Sequence, residues 1–285
     1  MEKLHVNQSV WDIVEPNPFI TLQVFITNRC NKMCKDCFYE SRLGLGDMNM
    51  TVYTSLVDDS LKRFPELGKV ILLGGEPTLH PHLSDMLSYN IQKGLKTTIY
   101  TNGARLDRIR QTDPNYVSVR IGVLGLSRGE KNLIEIKPTN IETGIVYMLR
   151  KNNIDELMDA AYYAEQHFNC RYFMISSIRA IQTTGDFWKD TEDTISMDRY
   201  VSIVQEFMDN YHGDLNIHIA RRGILDGQKS ITHCRFLNVY PDQQVTLCPF
   251  DISKGIIDHA EYIGRSCNKH SECLLQKIIC VKKCI

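Results

Sequence analysis

Strand-like apolar runs recur along this chain, with helix-like segments between them. Residues 19–27 (FITLQVFIT) are rich in β-branched and aromatic side chains and stop just short of the first cysteine cluster. A helix is expected over residues 51–64, with Thr51 as its N-cap and Pro65 just past its end. Residues 70–73 form a short apolar run stopped by Gly74-Gly75, and residues 82–93 read as a helix closed by Gly94. Further strands are expected over 96–100, 117–123, 144–149 and 171–178, with a helix over 154–167 and another over 196–211 after a polar loop at 185–196. Near-continuous apolar strands alternating with helices imply a parallel sheet covered by helices. Six such units are too few for a closed eight-stranded barrel. The expected fold is therefore α/β, a partial (β/α)6 barrel with a small cysteine-rich C-terminal extension. Active sites of such sheets lie at the C-terminal ends of the strands. Three segments follow strands directly and so fall on one rim: the cysteines after residue 27, Gly74-Gly75-Glu76-Pro77, and Thr101-Asn102-Gly103.

Size and charge narrow the partners. A chain of 285 residues is long enough for one large core plus a small addition, and a catalytic core over 1–220 with an appendage over 221–285 is the division expected. A net charge of −1 creates no global field for nucleic acid or an anionic membrane, and the basic group Arg105, Arg108 and Arg110 reads as a solvated face. No apolar run approaches the ~18–20 residues that span a bilayer, and residues 1–17 lack a signal-peptide core. The expectation is a cytoplasmic protein with no nucleic-acid and no membrane partner. Ten cysteines in a reducing compartment point to metal or catalysis rather than disulfides.

Cys30, Cys34 and Cys37 are spaced to wrap one cubane iron–sulfur cluster, one thiolate per iron, leaving the fourth iron open to a chelating group. Zinc is the rival metal. It needs a fourth ligand, and no histidine lies close in sequence. The glycines at 74 and 75 let backbone approach closely.

The segment Thr27-Asn28-Arg29-Cys30-Asn31-Lys32-Met33-Cys34-Lys35-Asp36-Cys37-Phe38 resembles the signature of the radical S-adenosylmethionine (SAM) superfamily. Gly74-Gly75-Glu76-Pro77-Thr78-Leu79-His80-Pro81 resembles the strand end that receives the SAM amino group in that family. The resemblance covers roughly residues 19–178. It implies a [4Fe–4S] cluster on Cys30, Cys34 and Cys37 and SAM as cofactors, with one-electron cleavage giving a 5′-deoxyadenosyl radical. It also implies that Gly74, Gly75 and the Glu76 carboxylate face the SAM ammonium. Two departures stand out. Asp36 occupies a position often aromatic in the family. Gly122 and Leu124 stand where a serine and an aspartate usually contact SAM. Asn102, Ser118, Arg120, Arg150 and Asn153, at strand ends, are the expected substitutes.

The last quarter carries six more cysteines. Cys234 and Cys248 flank an expected β-hairpin, and Cys267, Cys273, Cys280 and Cys284 follow. This tail is similar to the SPASM/twitch extension, which implies one or two auxiliary Fe–S clusters. Gln243 replaces the hairpin glycine, the close cysteine pair is stretched to Cys267/Cys273, and a seventh cysteine is absent. Zinc on four of these thiols is the alternative. Cys170, before a strand, reads as a small core hydrophobe, with hydrogen donation to a substrate radical as its weaker reading.

Taken with the resemblance, the expected function is hydrogen abstraction from a peptide or protein, ending in oxidation or cross-linking. A small natural-product or nucleotide-like metabolite, or peptide epimerisation, is the alternative. A non-catalytic Fe–S electron carrier or zinc protein is the rival of a different class. A flavodoxin or ferredoxin is the expected reductant. The thirty or so residues before Cys30 are too few for a winged-helix leader-binding domain.

Overall fold

The computed structural model describes residues 21–34, 37, 39, 42–44, 46–128, 130–177, 180–181, 188–189, 192–220, 236–242, 245–246 and 278–281. All six expected strands are present: β1 (Thr21–Thr27), β2 (Lys69–Gly74), β3 (Lys96–Thr101), β4 (Val117–Val123), β5 (Glu142–Leu149) and β6 (Cys170–Ser177). They pair in chain order, every pair parallel. Two more parallel strands widen the array. β9 (Asn216–Ala220) adds beside β6, and β10 (Phe236–Val239) adds beside β1. Eight parallel strands therefore replace the six expected. Antiparallel strands β11 (Val245–Thr246) and β12 (Ile278–Val281) lie at the two edges, so the barrel stays open. Segments from beyond Ala220 thus join both sides of the main sheet. β7 (Ala180–Ile181) and β8 (Trp188–Lys189) form a separate ribbon, β8 falling within the expected polar loop at 185–196.

Alternation within the strands creates two faces. Leu22, Val24, Ile26, Val70, Leu72, Ile99, Val119, Ile121, Ile145, Tyr147, Phe173, Ile175, Ile217 and Ile219 point to the helices and form the main core. Each such side chain, fully buried, contributes about 1.5–3 kcal/mol relative to exposure. The opposite face is the barrel interior. It carries Phe25, Ile71, Leu73 and Tyr240 in one cluster, and Val146, Tyr172 and Met174 in another.

Helices α1 (Met50–Arg63), α2 (Leu83–Gln92), α3 (Leu157–His167) and α4 (Met197–Asn210) cover the outside. The N-cap of α1 is Asn49, not Thr51: its side chain accepts the Thr51 N–H at 2.8 Å. Ser196 caps α4 as its position suggests. The segment expected to be helical from 154 opens as a 3₁₀ turn, Ile154–Glu156, before α3. One buried contact joins α1, α2 and β3. Asn90, fully buried, accepts from the Tyr53 hydroxyl at 2.9 Å and donates to the Thr97 hydroxyl at 3.0 Å.

Asn90→Ala would strand both hydroxyls in the core. It should lower unfolding free energy by about 1–3 kcal/mol, measured by urea denaturation. Cluster loading should change little, since Asn90 lies on the helix-facing side.

Candidate active site

β1 ends at Thr27, and the chain then turns into the cysteine loop. The loop is fastened to the end of β2 by backbone. The Gly75 N–H donates to the Thr27 carbonyl at 2.8 Å, and the Glu76 N–H donates to that of Arg29 at 2.7 Å. The approach is too close for any side chain. A Cβ on Gly74, whose φ is +151°, would lie 2.3 Å from the Thr27 carbonyl oxygen. One on Gly75 would lie 2.3 Å from the Arg29 oxygen and 3.0 Å from Cys30 Cβ. Arg29 adds an ion pair with Asp47 at 2.6 Å and a bond to the Leu79 carbonyl at 3.0 Å. Asp47 in turn accepts from the Thr27 hydroxyl at 2.6 Å.

Cys30, Cys34 and Cys37 are free thiols, each half-buried on this loop. Burial raises the Cys34 and Cys37 pKa values, and the neighbouring cysteines raise them further, so the thiols lie near enough to feel one another's charge. Lys131 hydrogen-bonds the Cys34 thiol and pulls the other way. Among the described residues no three Cys, His, Asp or Glu side chains close around one point. The loop holds its donors as neighbours rather than as a finished coordination shell. Three soft sulfur donors on one backbone-clamped loop suit an iron–sulfur cluster with one iron left open.

Glu76, expected to face the SAM ammonium, is tied into the chain at the end of β2. Its carboxylate is fully buried. One oxygen accepts from the Thr78 N–H (3.0 Å), the Thr78 hydroxyl (2.7 Å) and the Thr101 hydroxyl (2.7 Å), and the other accepts the Asn102 N–H (2.7 Å). Three of these donors converge on one oxygen, and the other takes a single bond, which leaves it one acceptor site. Glu76 therefore locks the end of β3 to the end of β2. Asn102, held by that lock, extends it: its amide donates to the Asn31 side chain at 2.8 Å, inside the cysteine loop.

The other expected SAM contacts divide. Arg150 and Asn153 do lie at the end of β5. The Asn153 side chain, however, bonds the Leu124 and Met148 carbonyls (2.8 and 3.1 Å) and the Arg150 N–H (2.7 Å), while Arg150 is buried with Asp193 at 4.0 Å. Ser118 and Arg120 are not at the C-terminal end of β4. They lie deep in β4, where Ser118 pairs with Thr98 at 2.9 Å and Arg120 faces Tyr100. Cys170 opens β6, at the opposite end of the sheet from the cysteine loop. It packs on the main core with its thiol bonded to the Tyr172 carbonyl, and its pKa is pushed up to about 12 by burial. Cys234, Cys248, Cys267, Cys273 and Cys284 lie outside the described residues. Cys280 is on β12, in register with His218 of β9.

Two residues at the rim escaped the sequence reading. Lys131 sits in an ordinary polar stretch with no motif to mark it. Glu156, almost fully buried, accepts from the Leu126 and Ser127 N–H groups and from the Ser127 hydroxyl. That gathers the loop after β4, which folds back through a Leu124 N–H bond to the Lys131 carbonyl at 2.9 Å and so delivers Lys131 to the rim.

Two substitutions test this framework. Gly75→Ala should displace the cysteine loop and lower iron bound per chain after anaerobic reconstitution, read by iron assay and the visible spectrum. Glu76→Gln puts an amide among donors. It should reduce stability by about 1–3 kcal/mol in urea unfolding, with a loss in SAM affinity no larger than the loss in cluster loading.

Known proteins resemble this chain in sequence and in fold. The model of the radical SAM superfamily matches residues 24–176. A tungsten-containing aldehyde ferredoxin oxidoreductase cofactor-modifying protein of Pyrococcus furiosus is 40% identical over 88 residues. That match covers 30% of this chain and 24% of the relative, so the chain aligns with about a quarter of that protein's length. Streptococcus suis SuiB bound to its precursor peptide SuiA has a similar fold, with a TM-score of 0.64 at 13% identity over 90% of this chain and 64% of that one. The structure of anSMEcpe with AdoMet and the Cp18Cys peptide gives 0.59 at 16% identity over 81% and 74%. The family match takes in more than half of the 285 residues and runs from β1, through the cysteine loop, to β6; the chain belongs to the radical SAM superfamily.

Proposed function

We propose that this radical SAM enzyme cleaves SAM reductively at the rim and takes a hydrogen atom from a peptide or protein substrate, ending in oxidation or cross-linking. The observation that carries the reading is the clamp of the cysteine loop onto Gly74-Gly75. It sets three half-buried thiols beside a strand end stripped of side chains. The family's cofactors are a [4Fe–4S] cluster and SAM, which when bound supply one-electron C–S cleavage and a carbon radical able to abstract hydrogen. Cys30, Cys34 and Cys37 would hold the cluster. Gly74 and Gly75 leave backbone open to the amino-acid end of SAM, and Lys131 sets a positive charge beside Cys34. Glu76 and Asn102 act as positioning residues, because their polar atoms bond the chain.

Peptide chemistry is supported by the fold shared with SuiB, whose structure holds its precursor peptide, and with anSMEcpe, whose structure holds a peptide. A small metabolite is the second reading. It is favoured by the polar barrel interior, where Gln23, His218 and Asn238 are buried. Cys234, Cys248, Cys267, Cys273, Cys280 and Cys284 are proposed to hold one or two auxiliary clusters, and a flavodoxin or ferredoxin is proposed as the reductant. No helix among the described residues is long and apolar enough to cross a membrane. A cytoplasmic setting fits the cysteine content.

The test replaces Cys30, Cys34 and Cys37 together with Ala. The variant should form no 5′-deoxyadenosine under dithionite and should keep iron and sulfide on the tail. Continued SAM cleavage would defeat the rim assignment, and zinc in place of residual iron would defeat the auxiliary clusters.

A further inference from the structure

Arg120 projects from the middle of β4 into the barrel interior. It shares one row of the sheet with Tyr100 on β3, Gly144 on β5 and Tyr172 on β6. The Tyr100 hydroxyl accepts one guanidinium N–H at 3.0 Å, and the guanidinium carbon stands 4.8 Å from the Tyr100 ring centre. A second N–H meets the Met174 sulfur at 3.4 Å, a weak acceptor. Gly144 is what lets Tyr172 enter: a Cβ there would lie 2.1 Å from Tyr172 Cζ. Among the described residues no carboxylate lies within ion-pair reach of Arg120. Glu142, nearest along the interior of β5, pairs with Arg171 at 2.9 Å.

One row nearer the rim, His218 on β9 stacks on Tyr172, with ring centres 4.7 Å apart and planes at 14°. It is fully buried, and among the described residues neither ring nitrogen has a hydrogen-bond partner. Buried charges are ordinarily paired, and buried polar atoms ordinarily bonded. Among the described residues the part-buried Arg120 guanidinium faces no carboxylate and the His218 imidazole no hydrogen-bond partner, and an anionic group suits both. An imidazole can offer an N–H to such a group.

We propose that Arg120, framed by Tyr100 and Tyr172 and backed by His218, seats a carboxylate of the substrate in the barrel interior. A planar fork with one uncompensated charge matches one carboxylate in geometry and in charge. The seat lies about two residues, roughly 7 Å, below the strand ends that carry the cysteine loop. A molecule anchored there by its acid group extends toward the rim. This inference rests on the radical SAM reading of that rim and names the substrate class it would take.

The test uses the full chain, anaerobically reconstituted, with thermal unfolding followed against three probes: glutarate, a Gly-Glu-Gly tripeptide capped at both ends, and inorganic phosphate. Glutarate or the tripeptide should raise the unfolding temperature saturably. Glutarate alone would identify a free small acid, and the tripeptide an acidic side chain. In Arg120→Met the carboxylate affinity should fall by about ten- to a hundredfold, while the ligand-free protein unfolds at no lower temperature, because the charge removed is part-buried and faces no carboxylate among the described residues. Arg120→Lys, which keeps the charge and loses the fork, should fold and bind less tightly than the parent. His218→Phe should keep the stack and weaken binding less than Arg120→Met. No saturable effect of either carboxylate, tighter binding of phosphate, or loss of SAM affinity in Arg120→Lys would overturn the seat. Formation of 5′-deoxyadenosine by the parent, measured separately, reports on the rim and not on this site.

Discussion

The buried carboxylate of Glu76 ties the ends of β2 and β3 together just beyond the last residues of their ladder. Its oxygens take donors from the turn after β2 and from the end of β3, so the two strands cannot shift against each other at the rim without leaving a charge unsatisfied in the interior. The cysteine loop hangs from the same point. The backbone of Gly75 and Glu76 holds its first residues, and Asn102 reaches across to Asn31 within it. A thiol loop this close to a strand end needs glycine on the strand, and an anion below to fix the glycines in place. Gly74, Gly75 and Glu76 therefore work as one mechanical unit.

A second support comes from the far end of the chain. Tyr240, just after β10, stacks on Phe25 at 4.5 Å, and Phe25 stacks on Tyr39 of the cysteine loop at 5.0 Å. Arg42 lies 4.0 Å over the Tyr240 ring and pairs with Asp242 at 3.2 Å. The Tyr39 hydroxyl then bonds Asn28 at 2.7 Å. Residues about 200 positions apart thus share one aromatic stack beneath the proposed cluster loop.

The barrel interior contrasts with the helix-facing core. The outer face is apolar, aliphatic with some aromatic rings, while the inner face mixes Arg120, His218, Gln23 and Asn238 with aromatic rings. Such polarity is costly in a sheet interior and is retained where a ligand completes it. Gly144 and Gly122 keep β5 and β4 narrow on that face. At Gly144 the reason is visible, since Tyr172 occupies the volume a side chain would need.

The elements legible in sequence were those written locally. Six strands, four helices, the cysteine triplet after β1 and the glycines after β2 all follow from apolar periodicity, turn residues and spacing within short windows. β9 escaped because its alternation, Asn216-Ile217-His218-Ile219, is short and half polar, with the polar half turned to the interior. β10 escaped as a barrel strand because its partner, β1, is more than 200 residues away. The site shows the same division. Sulfur donors and close-packed glycines could be read directly. The inward turn of Glu76, the depth of Ser118 and Arg120, the arrival of Lys131 at Cys34 and the orphaned ring of His218 could not. These depend on register between strands remote in sequence, where a slip of one residue moves a side chain to the other face. Residue types and spacing determined which chemistry this chain can carry; only the packing of the sheet decided which polar groups serve the scaffold and which face the interior.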